Sequence, residues 1–468
     1  MTTKTRHCLS LLCLGTALTG APVWAQTPRE AALEARLAQL EAAVSALRGE
    51  LEASRSAPAV GSSAALSAGA AKPVLVPAMS AETEARLVAL ENAKPADGFK
   101  IGGTRFKLGG FVRINAAATR YNDGELAVGG LGKEFYLPQQ IPVGGGYASQ
   151  DFLIQARQTR FVLNTETPAG NHTLKSHLEF DFALSTAPAG AQRATNAFVP
   201  TLRRAFLTVD NTLAGQEWST FQNVGVLPES TDFVGPIEGT VFVRQTMVRQ
   251  TLALAPSIQV QLALENPETE TTNRTASALL GNDDDRLPDL VGRVNIKTGS
   301  ADLSLAGIAR ELRINQNGFV DTAFGWGISA AGKIGFGPKS RHDLRFMATY
   351  GNGIGRYLGL GFAADAVFGG APGDKLETVR NHAGFAALRV GWSETLRSTV
   401  MGGYQKAWYP ANVSLQNNAA AWSLAGNLFW TAAKNFDLGV EYRHGVRKLL
   451  SGDSGSLNRL EFAFKYSY

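Results

Sequence analysis

Apolar and polar residues alternate from about Phe99 to the last residue of the chain, Tyr468. The final segment, 460–468, reads LEFAFKYSY, with a large apolar residue at every second position. Successive side chains of a β-strand point to opposite faces, so each such segment has one apolar and one polar face. A soluble β-sandwich alternates in the same way, but its polar face is outermost and its connections are mostly short.

The connections between these segments favour a different all-β architecture. We predict sixteen strands near 106–121, 151–165, 173–184, 201–210, 213–221, 241–254, 257–266, 289–298, 301–313, 322–334, 343–351, 379–392, 396–408, 418–431, 436–444 and 457–468. Short links alternate with longer connections around 122–150, 185–200, 222–240, 266–288, 314–321, 352–378, 409–417 and 445–456. An antiparallel up-and-down barrel, with periplasmic turns and longer external loops, predicts this alternation.

The hydropathy of the chain agrees with a membrane barrel. Mean hydropathy is −0.06, and no stretch approaches the roughly 18 consecutive apolar residues that a membrane helix needs. Without such a helix, a closed barrel is the remaining way to satisfy every backbone group in lipid. Barrels of about 16–18 strands also leave an aqueous lumen.

The beginning of the chain predicts export. A basic start, a short apolar core and small residues at Val23 and Ala25 are typical of a signal peptide over 1–25. The alternative is an uncleaved membrane anchor. Both cysteines, Cys8 and Cys13, would leave with the signal, so the mature chain would carry no thiol. We expect the barrel in the bacterial outer membrane and the segment before it in the periplasm.

Residues 26–52 predict an α-helix with a heptad seam, which favours a coiled coil. The seam residues are Leu33, Leu37, Leu40, Val44, Leu47 and Leu51. So short a helix gains stability by association, although a single amphipathic helix on the barrel, or a tether to peptidoglycan, remains an alternative. Residues 53–98 are rich in Ala, Ser and Pro and predict a linker with a short helix, followed by the barrel at 99–468.

The overall charge of the chain does not indicate a particular binding partner. The full chain carries a formal charge of +5, which falls to about +3 when the signal peptide is removed. No basic run accompanies it, so we predict no nucleic-acid partner. Apart from His7, the histidines are scattered without metal-ligand spacing.

Chemical motifs are weak, and we predict no enzyme activity, no cofactor and no metal. The run from Asp283 to Asp285, followed by Asp289, matches no complete calcium pattern, and a solvated loop tip explains it better. The glycine-rich segment 350–357 lacks the lysine of a phosphate-binding loop. A barrel hydrolase would need a nucleophile near His177 and Asp181, and none is evident.

The third long connection and the arginines of the strands are the candidate selectivity elements. The connection carries Glu229, Asp232 and Glu238, and in 16-stranded porins the third external loop folds into the lumen. Arginines predicted on or near the facing wall are Arg113, Arg157, Arg160, Arg203, Arg204, Arg244 and Arg249. An acidic loop opposite a basic wall would create a transverse field that favours anions. The alternative is that single arginines pair with loop carboxylates or reach towards headgroups.

Three segments carry a resemblance to a known family. They are GQEWSTF at 215–221, LPESTDFVGPIEGTVFVRQTMVRQT at 227–251 and GNGIGRYLG at 351–359. Together with the order of signal, heptads, linker and barrel, they resemble the DcaP-like porins. The resemblance implies a homotrimer with a periplasmic coiled coil and a preference for dicarboxylates and similar anions. The positions matching that family's constriction are Glu229, Asp232, Glu238, Arg244 and Arg249.

The sequence therefore favours a porin for passive diffusion of small hydrophilic solutes, with a preference for anions such as dicarboxylates, surrounded by outer-membrane lipid and lipopolysaccharide. A substrate-specific anion channel with saturable sites is the first alternative. An outer-membrane hydrolase is the second, from a different functional class.

Overall fold

The structure is a computed structural model that describes residues 98–184, 195–316, 319–369 and 374–468. The signal peptide, the heptad helix at 26–52 and the linker were predicted within 1–97 and lie outside the described residues. The barrel belongs to a compact unit that spans residues 93–468.

Sixteen antiparallel strands of the described residues form one closed ring. They are β1 (Thr104–Tyr121), β2 (Ser149–Gln155 and Arg160–Ala169), β3 (His172–Asp181), β4 (Thr201–Val209), β5 (Thr212–Trp218), β6 (Arg244–Ala255), β7 (Ile258–Glu265), β8 (Asp289–Lys297), β9 (Ala301–Gln316), β10 (Phe319–Phe336), β11 (His342–Asn352), β12 (Arg380–Gly391), β13 (Leu396–Trp408), β14 (Asn418–Ala433), β15 (Phe436–Leu449) and β16 (Ser454–Ser467). Each strand pairs with the next, and β1 pairs with β16 from Phe111↔Ser467 to Tyr121↔Leu457. The predicted closed barrel is confirmed.

Burial along the strands shows which face points to lipid. On β14, Leu424 is 59% exposed on the outer face, whereas Ser423 beside it is 1% exposed on the inner face. The exposed face is apolar and the buried face polar, the reverse of a soluble sheet. This inversion is typical of strands between lipid and an interior that excludes it. No helix among the described residues is both long and apolar enough to cross a membrane.

The structure corrects three predicted boundaries. Barrel strand β2 is not continuous, because residues 156–159 leave the ladder between its two segments. The predicted long connections 314–321 and 445–456 are tight, since β9 and β10 pair as far as Gln316↔Phe319 and β15 and β16 turn over 450–453. Polar and β-branched residues at these ends continue the ladder beyond the lipid-facing band, so a pattern search that looks for apolar faces stops too early.

The eight connections at the end of the barrel that carries the long loops are numbered L1 to L8 in chain order. The ones that matter for the interior are L1 (122–148), L3 (219–243), L4 (266–288) and L6 (353–379). A small four-stranded sheet joins L4 and L6, with segments Glu270–Thr272, Leu279–Gly281, Ala366–Val367 and Glu377–Thr378. Short 3-10 turns lie at Leu131–Lys133, Pro138–Gln140, Val224–Val226, Ile237–Gly239, Pro338–Ser340 and Gly355–Tyr357, and a short strand Phe99–Ile101 pairs with the start of β1.

The hydrophobic core lies inside the ring and is made largely by loops. L1, L3 and L6 all contribute side chains that are almost completely buried: Phe135, Tyr136, Leu137 and Ile141 from L1, Phe221, Val226, Val234, Ile237 and Val241 from L3, and Ile354, Tyr357, Leu358 and Phe362 from L6. These clusters include inward residues of the wall, such as Phe385 and Leu457. Three connections therefore fold into the lumen, and not the third alone.

Gly110 marks the place where β1 changes partner from one segment of β2 to the other. Its φ is +143°, and an added Cβ would clash with the carbonyl oxygen of Arg160. We expect Gly110→Ala to lower the free energy of unfolding by about 1–3 kcal/mol, the usual cost of such a backbone position. The measurement is guanidinium unfolding of the protein folded into lipid vesicles. Gly426→Ala is the control, because its Cβ would meet open space; equal effects of the two substitutions would contradict the assignment.

Candidate functional site

L3 crosses the interior from its origin between β5 and β6 to the far side of the ring. Near its start, Asn223 Nδ2 donates to Ser304 Oγ on β9 at 2.9 Å. Further along, Arg345 of β11 donates to the carbonyl oxygen of Leu227. Glu229 then accepts from Arg397 on β13, which is eight strands from β5 and so half-way round the ring.

The far wall holds the tip of L3 through polar contacts. Arg397 Nε and Nη2 donate to the two oxygens of Glu229 at 2.8 and 2.6 Å, the fork geometry that makes such pairs strong. Ser230 Oγ donates to Glu441 at 2.7 Å, and Asn115 Nδ2 donates to the Thr231 carbonyl oxygen at 2.7 Å. Breaking one of these contacts would leave a buried polar group unpaired, which is costly, so the position of the tip is strongly specified.

The three acidic residues of L3 have different roles from the predicted ones. The sequence predicted that Glu229, Asp232 and Glu238 face an arginine wall across the lumen. Instead Glu229 binds Arg397, Asp232 accepts from the backbone N–H of Tyr136 in L1 at 2.8 Å, and Glu238 accepts from Ser423 Oγ at 2.5 Å. Asp232 and Glu238 are buried. The loop carboxylates therefore attach L3 to the wall and to L1.

A dense ionic cluster lines the wall on β2 to β5. Arg203 donates to Glu179 and Asp181 at 2.7 Å each. Arg204 binds Glu217 through two contacts of 2.6 Å, and Arg160 lies 3.5 Å from Glu179. A register shift at Glu179 lets the neighbouring residues Arg203 and Arg204 both reach the interior, which strict alternation does not allow.

Two other predicted arginines, Arg113 and Arg157, support loops. Arg113 donates to the backbone carbonyl oxygens of Thr231 and Asp232 in L3. Arg157 forms an ion pair with Glu134 of L1. The alternative prediction, that single arginines pair with loop carboxylates, describes Arg157. Arg160 and Arg204 pair instead with carboxylates of the wall.

Arg244 and Arg249 on β6 form no ion pair within the described residues and, unlike Arg113, no hydrogen bond there to a residue of L3. The guanidinium carbon of Arg244 lies 5.1 Å from the centroid of the Trp218 ring, and its Nη1 is buried without a hydrogen-bond partner. Arg249 Nη1 makes a 3.4 Å contact with the Trp218 carbonyl oxygen. Neither guanidinium therefore has a carboxylate in direct contact within the described residues.

Sequence reasoning missed Trp218 and Arg293. Trp218 lies between Arg203 and Arg244, with the Arg203 guanidinium carbon 5.9 Å from its ring centroid, and it packs edge-on against Phe242 at 4.8 Å. Arg293 on β8 donates to Gln261 Oε1 at 2.6 Å and to the carbonyl oxygen of Gln222 in L3. For Trp218, the sequence signal was the GQEWSTF segment, in which the tryptophan lies at the end of a strand where L3 begins.

The described residues offer no support for a metal site or a hydrolase. No group of three or more His, Cys, Asp or Glu within them could hold a metal ion. His177 Nδ1 lies 2.7 Å from Asn164 Oδ1, and its ring stacks on Phe206 at 5.0 Å. Asp181 accepts from Arg203 at 2.7 Å. Both members of the weak hydrolase candidate are thus engaged in wall contacts.

Comparison with known proteins identifies the family. The family model described as DcaP outer membrane protein matches residues 97–468. The chain belongs to the DcaP outer membrane protein family. It is similar to the crystal structure of the outer membrane channel DcaP of Acinetobacter baumannii, at 25% identity and a TM-score of 0.66, covering 79% of this chain and 99% of that one.

Two further solved structures are similar at lower identity. OmpT of Vibrio cholerae is 12% identical with a TM-score of 0.48, covering 80% of this chain and 100% of the in-vitro folded protein. An anion-selective porin from Comamonas acidovorans is 10% identical with a TM-score of 0.49, covering 78% of this chain and 100% of that one. A comparison with curated proteins found no match. Membership of the DcaP family places this barrel among the channels of the bacterial outer membrane.

The glycine-rich segment 350–357 of this DcaP-family barrel anchors L6 inside the lumen. Tyr357 Oη donates to Asp289 at 2.6 Å, and Arg310 lies between Asp289 and Asp365 at 3.3 and 3.1 Å. A Cβ at Gly355 would overlap the carbonyl oxygen of Ala364, so the turn requires glycine there. The segment is a packing element, in agreement with its missing phosphate-loop lysine.

Glu270 lies in the small sheet that joins L4 to L6. Its backbone N–H donates to Asp365 at 3.1 Å, and its own Oε2 is buried without a hydrogen-bond partner. Burial, and then the neighbouring Asp365 carboxylate, raise the pKa of Glu270 to about 7. The folded state holds the proton of Glu270 more tightly than the unfolded chain does. The contribution of protonated Glu270 to folding stability is therefore complete below about pH 4.5 and is lost as the pH rises through 7.

We therefore expect the L4–L6 sheet to be better protected at pH 5 than at pH 8, since Glu270 ionises between these values. The measurement is amide hydrogen exchange of segments 270–281 and 366–367 at the two pH values, corrected for intrinsic rates. Glu270→Gln should remove the difference. Glu125→Gln, an exposed glutamate of L1, should preserve it. A difference that persists in Glu270→Gln would show that another group is responsible.

Proposed function

We propose that this DcaP-family barrel is a passive channel for small hydrophilic solutes, that it favours anions such as dicarboxylates, and that L3 narrows its lumen. The observation that carries the proposal is the pair Arg244 and Arg249, which form no ion pair within the described residues. The contacts of L3 with β9, β11 and β13 support its role as the narrowing element.

Unpaired arginines in a partly desolvated wall favour anions for a physical reason. A buried guanidinium N–H without an acceptor costs free energy that a passing carboxylate can relieve. Arginine also stays charged and offers a planar pair of donors that matches a carboxylate. Arg244 and Arg249 are five residues apart on β6, which is roughly 17 Å along the strand, so a solute would meet them in succession.

The ion selectivity of the reconstituted protein tests this proposal. We expect an anion-selective reversal potential in a planar bilayer under a salt gradient. The double substitution Arg244→Gln/Arg249→Gln should lower the anion-to-cation permeability ratio, because it removes the unpaired charge. One unit charge at contact distance in water contributes about 1 kcal/mol to the interaction with an ion. The permeability ratio should therefore fall by roughly fivefold.

Arg341→Gln is the matched control, because Arg341 is an exposed arginine in the short turn after Pro338–Ser340. It should leave the reversal potential unchanged. Unchanged selectivity in the double variant would refute the role of Arg244 and Arg249. Cation selectivity of the native protein would refute the anion preference, and absence of conductance would refute the channel itself. Titration with a dicarboxylate then separates a passive pore from a channel with saturable sites, since only the latter shows saturable block.

We also propose that three copies assemble and that residues 26–52 form a periplasmic coiled coil. The heptad seam and the family resemblance support this. We expect Leu40→Asp in the mature chain to lower the temperature at which the oligomer dissociates on a semi-native gel, because it buries a charge in the seam. Ala42→Asp, on the outer face of the same helix, should have no such effect.

Two results would contradict this assembly. Equal dissociation temperatures for Leu40→Asp and the native protein would show that the seam does not contribute. A native mass equal to that of one chain would exclude the trimer.

A further inference from the structure

A row of cations crosses the outer face of β12 to β15 at the end where the long connections lie. The row consists of Arg380 on β12, Lys406 on β13 and Lys448 on β15, with the imidazole of His382 on β12 beside them. In this fold the long connections are extracellular, so the row lies near the outer edge of the lipid-facing band. We refer to Arg380, Lys406 and Lys448 as the outer cation row.

Strand register places the members of the outer cation row at one level. His382 pairs with Lys406, Lys406 pairs with Ala420 of β14, and Ala420 pairs with Lys448. Neighbouring strands are about 4.8 Å apart, so the two lysines are on the order of 10 Å apart across Ala420. The methyl group of Ala420 leaves an opening between two flexible ammonium groups.

The outward direction of the row follows from burial of its neighbours. Asn381, Ala407 and Leu449, each next to a member of the row, are buried against the interior. Below the row on the same face, Val400 and Leu424 are 64% and 59% exposed. The row therefore caps an apolar surface that is suited to acyl chains.

Aromatic rings surround the cations. Arg380 and Lys406 lie 5.0 and 4.9 Å from the Trp408 ring centroid, and the His382 ring is 5.3 Å from that of Tyr404. Trp422 lies across from Tyr404 on the next strand. Tryptophan and tyrosine are enriched where a membrane protein passes from hydrocarbon to headgroups, which fixes the depth of this row.

The charge of the row is not neutralised by the protein. Arg380, Lys406 and Lys448 form no ion pair within the described residues, and the outward positions of β12 to β15 carry no aspartate or glutamate. Nearby acids of the loops are engaged: Glu377 accepts from Arg274 at 2.5 Å, and Asp453 accepts from Ser451 at 2.7 Å.

We propose that the outer cation row binds the phosphate groups of a glycolipid in the outer leaflet. The cations match phosphate, the aromatic rings match the headgroup region and the apolar face below matches acyl chains. A soluble anion would use only the first of these three features. The site is on the outside of the wall and is independent of the solute pathway.

The test compares binding of phosphorylated lipid A and chemically dephosphorylated lipid A to the full mature protein in detergent micelles. We expect the phosphorylated form to bind more tightly. Lys406→Gln/Lys448→Gln should weaken its binding by roughly 30-fold, from about a fivefold contribution of each lysine near an anionic surface. Lys406→Arg/Lys448→Arg should retain binding, which separates loss of charge from misfolding.

The control is Lys339→Gln/Lys434→Gln, which removes the same charge from exposed turns at the opposite end of the barrel. It should bind phosphorylated lipid A like the native protein. The proposal would be overturned if Lys406→Gln/Lys448→Gln bound phosphorylated lipid A as tightly as the native protein does. It would also be overturned if the native protein bound the two forms of lipid A with equal affinity. Displacement of the lipid by inorganic phosphate at equal concentration would instead identify a site for soluble anions and would also overturn it.

Discussion

Lipid offers no hydrogen-bond partners to a peptide backbone, and this constraint determines most of the structure. The ladder between Phe111–Tyr121 and Leu457–Ser467 removes the last free edges of the sheet, so the ring can be exposed to lipid all round. Sixteen strands, however, enclose more space than wall side chains can fill. The loops that enter this space supply the hydrophobic core, and their placement decides what remains open.

The inward loops are held by charges as much as by apolar packing. Arg397 fixes L3 through Glu229, and Arg310 fixes L6 through Asp365 and Asp289. Buried ion pairs are weak sources of net stability, but removal of one partner is costly, so they specify position. Most arginines of the interior are used in this way. In the proposed function, the charge left for a solute is the remainder carried by Arg244 and Arg249.

The sequence predicted the strands well because their pattern is local. Alternation within a segment such as 418–433 shows two faces, whatever its neighbours are, and the closed ring follows from the number and spacing of such segments. The break in β2 was missed although the pattern carries a signal, because the exposed apolar residues change from even-numbered Phe152 and Ile154 to odd-numbered Phe161 across residues 156–159.

Loop placement was the main failure, because it depends on contacts between distant residues. Glu229 and Arg397 are 168 positions apart, so their pairing has no local signal, and Arg397 was not recognised as the partner of Glu229. Phe135, Tyr136 and Phe362 lie in loops that were expected to be external. Large apolar residues in long loops were the available indication that L1 and L6 fold inward, but they do not show which surface buries them.

L3 reaches the far wall of the barrel, where Arg397 binds Glu229. A disulfide between Thr231→Cys and Gly439→Cys tests it directly, because a Cβ at Gly439 on β15 would lie 2.8 Å from Thr231 Cγ2. Mass spectrometry of the oxidised, folded protein should find the two cysteines joined, whereas Thr231→Cys with Gly426→Cys, on the outer face of β14, should remain reduced. Absence of the first disulfide, or an equal yield of the second, would contradict the inward fold of L3.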